Sequence, residues 1–519
     1  MVKITNIPAG EQKGSDFQIK LDGIAAESYV ARVSAMPFNR TWPGQQRPLE
    51  QTELASIVSF VMDSPVQVEL EAQKDFEDVV IRPLSAGICP KTDGRTISFT
   101  IEKPGQYMVE LDGWHNPLNI YANPDVDFGV SPEDENVIYF PAGVHHAGII
   151  ELQSGQTLYI DQDAVVYGSV IAACAKNVKV LGYGILDGSE EKRYTENPLV
   201  PVDFRRFPGF EPFVDTLSFL PPAVSQNPPV PSIMLREKEE FMKFLKDANT
   251  LYDIVHFYKC DNAVINGPIL RDSSNFTVIV ANCDNTLIDN VKIIGQWRYN
   301  SDGIDLFNSR NCVIRNSFLR DFDDCVVVKG MVGWDSLNNE NILVENCVVW
   351  CDWGRNLEIG AETVAPEYCN IIFRNCDCIH CAHIALDIQH TNSAYVHDVT
   401  FEDIRVEYSK YDVECVYQHS DDMVFPGDHG VPTLIFAGQC NPANFSVDKL
   451  NGKMSDITYR NIQILTDNEA ELPPIQLRGK DPEHDIRRVL IENITVNGKP
   501  ACVKEMLHTS EFVSDLVIK

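Results

Sequence analysis

Residues 285–316, NTLIDNVKIIGQWRYNSDGIDLFNSRNCVIRN, contain one short phrase twice, beginning at Asn285 and again at Asn311. The phrase is an Asn or Asp, two further residues, an apolar residue and often a second Asn or Asp. Related copies begin at Asn262, Asn341, Asn370, Asp398, Asp456 and Arg488, and the successive starts differ by 23, 26, 30, 29, 28, 58 and 32 residues. A near-constant period of this length indicates a solenoid. The interval of 58 residues is about two periods and is consistent with one coil enlarged by a loop over residues 411–453.

Each copy is a short β-branched segment bounded by Asn or Asp, residues that tolerate left-handed turn conformations. A helical solenoid needs apolar residues at a spacing of about 3.6, and the copies lack that pattern. The repeat therefore predicts an all-β fold, a right-handed parallel β-helix over residues 131–519 with insertions near 190–250 and 411–453. Residues 1–130 lack the phrase but contain alternating segments such as VQVELEA from Val66, which predict an N-terminal β-sandwich domain.

Composition limits the classes of partner. The chain has 43 Lys plus Arg against 75 Asp plus Glu, a formal charge of -32, so neither nucleic acid nor an anionic membrane is expected as a partner. No run approaches the ~20 apolar residues that span a bilayer, and the first residues lack the apolar segment of a signal peptide. We therefore expect a cytoplasmic protein, or a secreted one if a signal peptide was removed. Fifteen cysteines, an odd number, favour reduced buried thiols over a disulfide framework.

Three aspartates lie one coil apart in the predicted β-helix. Asp302 lies in a Ser-Asp-Gly turn, and the adjacent Asp323 and Asp324 follow it by 21 and 22 residues. Coils stack about 4.8 Å apart, so the three carboxylates are expected on one face. Neighbouring residues of a strand point to opposite faces, so Asp323 and Asp324 share a cleft only if the chain bends there. The alternative is that all three are turn aspartates like Asp398 and Asp456, but their clustering within one coil favours a functional role.

At these residues the sequence resembles the pectinase clan of right-handed β-helix glycosidases, which comprises glycoside hydrolase family 28, the polygalacturonases, and the related dextranase and isopullulanase family 49. The resemblance covers about residues 139–495 and rests on GYGILDGS from Gly182, LRDSSNF from Leu270, NSDGID from Asn300 and DDC from Asp323. It implies Asp323 as the general acid of an inverting hydrolysis, with Asp302 and Asp324 activating the water. Chemistry agrees, because neighbouring ionised groups raise the pKa of the one carboxyl that must stay protonated.

The departures from the family pattern concern the substrate. The family's Gly-His-Gly segment corresponds to GRNLEIG, which places Arg355 at the position of the histidine. In the next coil polygalacturonases carry an Arg-Ile-Lys that binds the galacturonate carboxylate, whereas this chain reads ALDIQH, with Asp387 and Gln389 at the corresponding positions. These changes and the negative net charge favour a neutral sugar. The candidate substrate-binding residues are Asn300, Arg355, Glu358, Asp387, Gln389, His390, Trp297 and Trp353, the two tryptophans as platforms for a sugar ring.

No cofactor or metal is expected. The segment CDCIHCAH from Cys376 offers four superficial zinc ligands, but inward-stacked thiols are also ordinary filling of a β-helix. The sequence thus predicts an inverting glycoside hydrolase acting on a neutral oligosaccharide or polysaccharide. We expect exo action, with one of the two insertions blocking an end of the cleft.

Three alternatives remain open at this level. They are a polygalacturonase-like hydrolase of uronate-containing glycans, a β-helix polysaccharide lyase whose aspartates hold calcium, and a non-catalytic glycan-binding β-helix. All of them have a carbohydrate partner, and an oligomer is compatible with the sequence.

Overall fold

The computed structural model describes residues 2–35, 49–190, 253–298, 300–330, 337–409, 418–420, 423–424, 431–440, 452–467 and 471–519. The insertion predicted near 190–250, and most of the one near 411–453, lie outside the described residues. No helix among the described residues is long and apolar enough to cross a membrane.

Eleven strands form two sheets before residue 125. They are β1 Val2–Ile4, β2 Phe17–Leu21, β3 Ile24–Ala26, β4 Tyr29–Ser34, β5 Thr52–Met62, β6 Val66–Ala72, β7 Val79–Arg82, β8 Lys91–Asp93, β9 Thr96–Ile101, β10 Gly105–Leu111 and β11 Leu118–Pro124. One sheet is ordered β1-β5-β11-β10-β7, with β4 paired to β5, and the other is ordered β3-β2-β6-β9-β8. Short 3-10 helices lie at Leu49–Gln51 and Leu84–Ala86.

The two sheets pack face to face around one core. Strand β6 alternates buried and exposed residues along its whole length, as its sequence pattern predicts. Ile19 and Leu70 from one sheet share an apolar cluster with Phe60 and Ile120 from the other. This arrangement is a β-sandwich, in which each sheet buries one face against its partner.

The remaining described strands begin at Val137. They are β12 Val137–Phe140, β13 Gly143–Glu151, β14 Thr157–Ile160, β15 Ala164–Ala173, β16 Lys179–Gly182, β17 Ile185–Asp187, β18 Val255–Tyr258, β19 Asp261–Asn266, β20 Ile269–Arg271, β21 Val278–Ala281, β22 Asp284–Asp289, β23 Lys292–Ile294, β24 Ile304–Phe307, β25 Arg310–Arg315, β26 Phe318–Asp321, β27 Val326–Gly330, β28 Asn339–Glu345, β29 Val348–Cys351, β30 Arg355–Thr363, β31 Glu367–Arg374, β32 Asp377–Cys381, β33 Ile384–His390, β34 Tyr395–Glu402, β35 Arg405–Tyr408, β36 Gln418–Ser420, β37 Met423–Val424, β38 Thr433–Gln439, β39 Lys453–Thr466, β40 Ile475–Arg478, β41 Ile486–Val496, β42 Lys499–Pro500, β43 Leu507–Thr509 and β44 Val513–Ile518. A single helical turn, α1, spans Val503–Met506.

Thirty-one of these strands join into one sheet that winds as a β-helix. Each strand of the central coils pairs in parallel with the strand three places further along, so that β24, β27, β30 and β33 form one ladder of successive coils. The inward positions of this ladder carry Ile304, Val326, Leu357 and Leu386 in register, all of them buried. The predicted fold class, a right-handed parallel β-helix preceded by a β-sandwich, is confirmed.

The turns of the β-helix explain the Asn-rich repeat. The residue that begins each repeated phrase has a positive φ, from 50° at Asp398 to 58° at Asn262. Asn and Asp adopt this left-handed conformation more readily than other side chains because they can hydrogen-bond locally. Their amides also stack between coils, since Asn341 donates to Asn311 over 3.0 Å and Asn370 donates to Asn341 over 2.7 Å.

The β-sandwich packs along one side of the β-helix. Trp114 of the sandwich meets Trp350 of the β-helix edge to face, with 6.5 Å between the ring centroids. A buried ion-pair cluster joins the same two parts, because Arg82 contacts Glu110 of the sandwich and Glu407 of the β-helix. The acidic residues Asp305, Glu358 and Asp387 lie on the ladder of β24, β27, β30 and β33.

Candidate active site

Adjacent coils bring the three predicted aspartates together. The Gly303 amide donates to the Asp324 carbonyl over 2.8 Å, which stacks the turn of Asp302 directly on the turn of Asp324. Between β26 and β27 the chain bends at Phe322 and Asp323, as a shared cleft requires. All three aspartates are nearly inaccessible to solvent, with 1% of Asp302 and 5% of each of the other two exposed.

Gly354 is the point on which the paired carboxylates converge. A Cβ atom at this position would lie 2.6 Å from Oδ1 of Asp323 and 2.6 Å from Oδ1 of Asp324. Cβ atoms essentially never make contacts below 3.0 Å, so a larger residue here would displace the two carboxylates. The bend therefore turns the two neighbouring side chains toward one side of the chain instead of opposite sides.

Lys329 is the cation at the centre of the cluster. Its Nζ lies 2.8 Å from Oδ2 of Asp302, 3.4 Å from Asp305 and 3.6 Å from Asp324. Burial raises the pKa of Asp302 to about 7, although Lys329 opposes the rise. The other oxygen of Asp302, Oδ1, is buried and has no hydrogen-bond partner among the described residues.

The two adjacent aspartates are driven in opposite directions. Burial, together with the charges of Asp324 and Asp302, raises the pKa of Asp323 well above its ordinary value. Burial also acts on Asp324, but Arg355 and Lys329 outweigh it and hold the pKa of Asp324 below its ordinary value. The two shifts favour the protonated form of Asp323 and the ionised form of Asp324, which is the division that acid–base catalysis needs.

Arg355 links the paired aspartates to the next coil. Its backbone amide donates to Oδ1 of Asp324 over 3.1 Å, and its guanidinium lies 3.4 Å from the same oxygen. The guanidinium also lies 3.4 Å from Asp387 and 4.0 Å from Glu358. Asp305, Glu358 and Asp387 occupy equivalent outward positions, because Asp305 pairs with Val327, Val327 with Glu358, and Glu358 with Asp387.

Glu358 and Asp387, the ladder acids beside Arg355, also have raised pKa values, which favour their protonated forms. Burial raises the pKa of Asp387 to about 7 against the opposing charge of Arg355, and burial raises the pKa of Glu358 well above its ordinary value. Gln389 donates to Oδ2 of Asp387 over 3.3 Å. A protonated carboxyl can donate a hydrogen bond as well as accept one, which suits the recognition of hydroxyl groups.

Four other predicted contact residues lie near the cluster in sequence. Asn300 begins the Asp302 turn with a φ of 56°, and Trp353 stacks on Phe322 beside the bend, with ring centroids 5.8 Å apart. The other two, His390 and Trp297, form hydrogen bonds within the protein. His390 is fully buried, with its ring nitrogens 2.8 Å from Gln439 and from the Ala394 carbonyl, so it holds the coil.

Trp297 is also held by neighbouring side chains. Only 7% of it is exposed, and its indole N–H donates to Oδ1 of Asp272 over 3.2 Å. The Arg298 guanidinium lies 5.1 Å from the ring centroid. The ring is thus engaged within the protein and offers no open platform to a sugar.

Lys329 and Asp305 were missed by the sequence reasoning. Strand alternation could have found both, because Ile304 and Leu306 point inward and leave Asp305 outward on the coil of Asp302. In the same way Val328 points inward and leaves Lys329 outward on the coil of the paired aspartates. In the segment CDCIHCAH, Cys376 and Cys378 are buried in the apolar core, as expected for thiols that fill the interior of a β-helix.

Comparison with known proteins agrees with this geometry. Residues 240–431 match the model of glycosyl hydrolases family 28. The match to this family covers 192 of the 519 residues. The matched segment contains all three aspartates together with Lys329 and Arg355, and the resemblance to pectinase-clan β-helix glycosidases is confirmed.

Individual relatives share parts of the sequence. The chain is 36% identical over 101 residues to exopolygalacturonase X of Aspergillus niger and 31% identical over 116 residues to an exopolygalacturonase of Cochliobolus carbonum. The first alignment covers 18% of this chain and 21% of the relative, and the second covers 21% of this chain and 24% of the relative. The chain therefore matches less than a quarter of the length of each relative. The solved structure of Dex49A from Penicillium minioluteum matches with a TM-score of 0.63 at 12% identity, covering 100% of this chain and 96% of that one, and shows a shared fold.

Proposed function

We propose that the protein is an inverting, exo-acting glycoside hydrolase. The observation that carries the proposal is the opposite pKa shift of two adjacent carboxyls, Asp323 upward and Asp324 downward, beside a third carboxylate one coil away. Hydrolysis of a glycosidic bond with inversion needs one protonated acid and a base that holds water on the opposite face of the sugar. The match of residues 240–431 to glycosyl hydrolases family 28 supports the same reaction class.

Each residue of the cluster has a role in this reaction. Asp323 donates its proton to the glycosidic oxygen as the bond to the anomeric carbon breaks. Asp302, whose Oδ1 has no described partner and whose pKa is about 7, accepts the proton of the water that attacks that carbon. A base with a pKa near the working pH combines ionisation with proton affinity. Asp324, held ionised by Arg355, positions the water and keeps Asp323 protonated.

A neutral sugar is the proposed substrate. Arg355 lies within 4.0 Å of three carboxyl groups, those of Asp324, Glu358 and Asp387, and Lys329 is surrounded by aspartates in the same way. Both cations are thus compensated inside the cluster, and a substrate carboxylate in this region would meet mainly acidic neighbours. Sugar hydroxyls, in contrast, can exchange hydrogen bonds with Asp387 and Gln389.

The names of the relatives favour a second candidate, a uronate-containing glycan. Two matched relatives are called exopolygalacturonases, at 36% and 31% identity over short segments. Their names also support exo action, which we propose for this chain on the expectation that an insertion blocks one end of the cleft. A cytoplasmic location stays a prediction.

Purified protein separates these candidates in one substrate screen. Neutral oligosaccharides and galacturonate oligosaccharides are supplied at several lengths, and the anomer first released is followed by NMR, with Asp323→Asn as the inactive control. We expect cleavage of neutral substrates, inversion of the anomer, and a rate on a trisaccharide at least equal to that on polymer. Retention of configuration contradicts the mechanism, and an unsaturated product that disappears with a chelator identifies a lyase.

Asp387→Asn distinguishes the two sugar classes directly. The comparison is made above pH 7, where Asp387 is mainly ionised. For a neutral substrate the change replaces one of two acceptor oxygens by a donor amide, so KM rises. For a uronate it removes a like charge, so KM falls. A lower KM for galacturonate oligosaccharides in this variant rejects the neutral-sugar proposal while leaving the hydrolase proposal in place.

A further inference from the structure

Three metal-ligating side chains meet on a different face of the β-helix. They are Glu367 and Cys369 of β31 and His397 of β34, and their ligand atoms all lie within 4.8 Å of one another. Glu367 and Cys369 are two residues apart on one strand, so their side chains point to the same face. Val396 pairs with Tyr368, which places His397 above Cys369 in the next coil.

The histidine of this group is oriented as a metal ligand. Its Nδ1 lies 2.7 Å from Oδ2 of Asp398, and its ring packs against Tyr395 with centroids 4.3 Å apart. Its Nε2 is buried, has no hydrogen-bond partner among the described residues, and lies 4.0 Å from Oε2 of Glu367. A carboxylate on one ring nitrogen fixes the tautomer that leaves a lone pair on the other nitrogen, the arrangement found behind metal-bound histidines.

We propose that Glu367, Cys369 and His397 bind a zinc ion, or another borderline transition metal, with Asp398 orienting the histidine. A set of one sulfur, one nitrogen and one oxygen donor suits Zn²⁺ in tetrahedral geometry, with bonds of about 2.0 to 2.3 Å. Ligand atoms around such an ion lie about 3.5 Å apart, so the present separations need only a small closure. Glu367, whose side chain is 47% exposed, can supply that movement.

The fourth coordination position faces solvent and takes a water molecule. Burial raises the pKa of the Cys369 thiol, with the nearby carboxylates of Glu340 and Glu367 adding to the rise, so binding releases the thiol proton to solvent. The bound ion would join two consecutive coils. The ion would bridge β31, which follows the strand of Arg355, and β34, which follows the strand of Asp387.

Metal binding is measured on the full chain, stripped with chelator and kept reduced. Zn²⁺ is titrated by calorimetry, and Co²⁺ is titrated by absorbance, because a thiolate ligand gives cobalt a sulfur charge-transfer band in the near ultraviolet. We expect one ion per chain, a rise in Tm with Zn²⁺, and the charge-transfer band. Absence of saturable binding overturns the proposal.

Substitutions identify the ligands. Cys369→Ser should abolish the cobalt charge-transfer band. Asp398→Asn should reduce the affinity for Zn²⁺ about 10- to 100-fold, because it removes the group that orients the histidine. His397→Gln should reduce that affinity at least as much. Cys502→Ser removes an exposed cysteine elsewhere and should change nothing. Each metal-free variant is compared with the metal-free wild type by circular dichroism. A Cys369→Ser variant that folds and keeps the band, or a Cys502→Ser variant that loses it, refutes the assignment.

Discussion

Replacing Lys329 by Met tests the electrostatic design of the site. The side chains have similar length, but the ammonium 2.8 Å from Oδ2 of Asp302 disappears. Loss of one partner from a buried ion pair costs about 3 kcal/mol, which corresponds to about two pKa units. Since Lys329 lowers the pKa of Asp302, now about 7, its removal should raise that pKa to about 9.

The consequence appears in the pH dependence of kcat/KM. In the proposed mechanism Asp302 must be ionised to accept the proton of water, so the acidic limb of the profile follows its pKa. We expect this limb to move upward by about two pH units in Lys329→Met, and kcat/KM near pH 6 to fall about 100-fold. The Asp305 and Asp324 carboxylates also lose a cation within 3.6 Å, which shifts their pKa values in the same direction.

Lys292→Met is the matched control. Lys292 is equally buried, but its Nζ bonds neutral acceptors, the Asn123 side chain and two backbone carbonyls, and burial lowers its pKa. Its loss should leave the pH profile unchanged in whatever fraction of the protein remains folded. An acidic limb that stays in place in folded Lys329→Met would refute the role given to this lysine.

Three further substitutions probe the same cluster. Gly354→Ala puts a Cβ atom 2.6 Å from both paired carboxylates, so kcat should fall about 100-fold with unchanged circular dichroism. Arg355→Lys should greatly reduce turnover because a lysine cannot span Asp324 and Asp387, and near-normal turnover would assign Arg355 a structural role. Asp323→Asn should reduce activity by several orders of magnitude. It should also raise Tm at about pH 7 but not at about pH 3, because a carboxyl with a raised native pKa favours unfolding as pH rises above its ordinary value; an equal shift at both pH values would contradict this.

The fold could be predicted because the repeat records a backbone requirement. Each phrase begins where the chain needs a positive φ, and Asn or Asp supply it at every coil from Asn262 to Asp456. Even Arg488, the one basic residue that begins a phrase, has a φ of 54°. The period therefore follows from turn geometry, which is local and visible in a single sequence.

The site was only partly predictable, because burial and ion pairing depend on contacts between coils. Spacing placed Asp302 beside Asp323 and Asp324. Strand alternation places Lys329 outward, but the carboxylates that it contacts depend on how the coils stack. The surroundings of His390 and Trp297 also depend on contacts that a single sequence does not show. Both residues are close in sequence to the acidic cluster, yet their hydrogen bonds point into the protein.

The charges of the cluster explain why the site tolerates so many buried acids. Lys329 and Arg355 provide two positive charges, whereas the six surrounding carboxyls, those of Asp302, Asp305, Asp323, Asp324, Glu358 and Asp387, could provide six negative ones. Full ionisation would leave an uncompensated charge of about four in a buried region, which is prohibitively costly. Protonation removes that charge, and the pKa of every carboxyl except Asp324 is raised. The two cations therefore favour the ionised form of Asp324, whereas burial and the charges of Asp324 and Asp302 shift Asp323, the proposed acid, toward its protonated form.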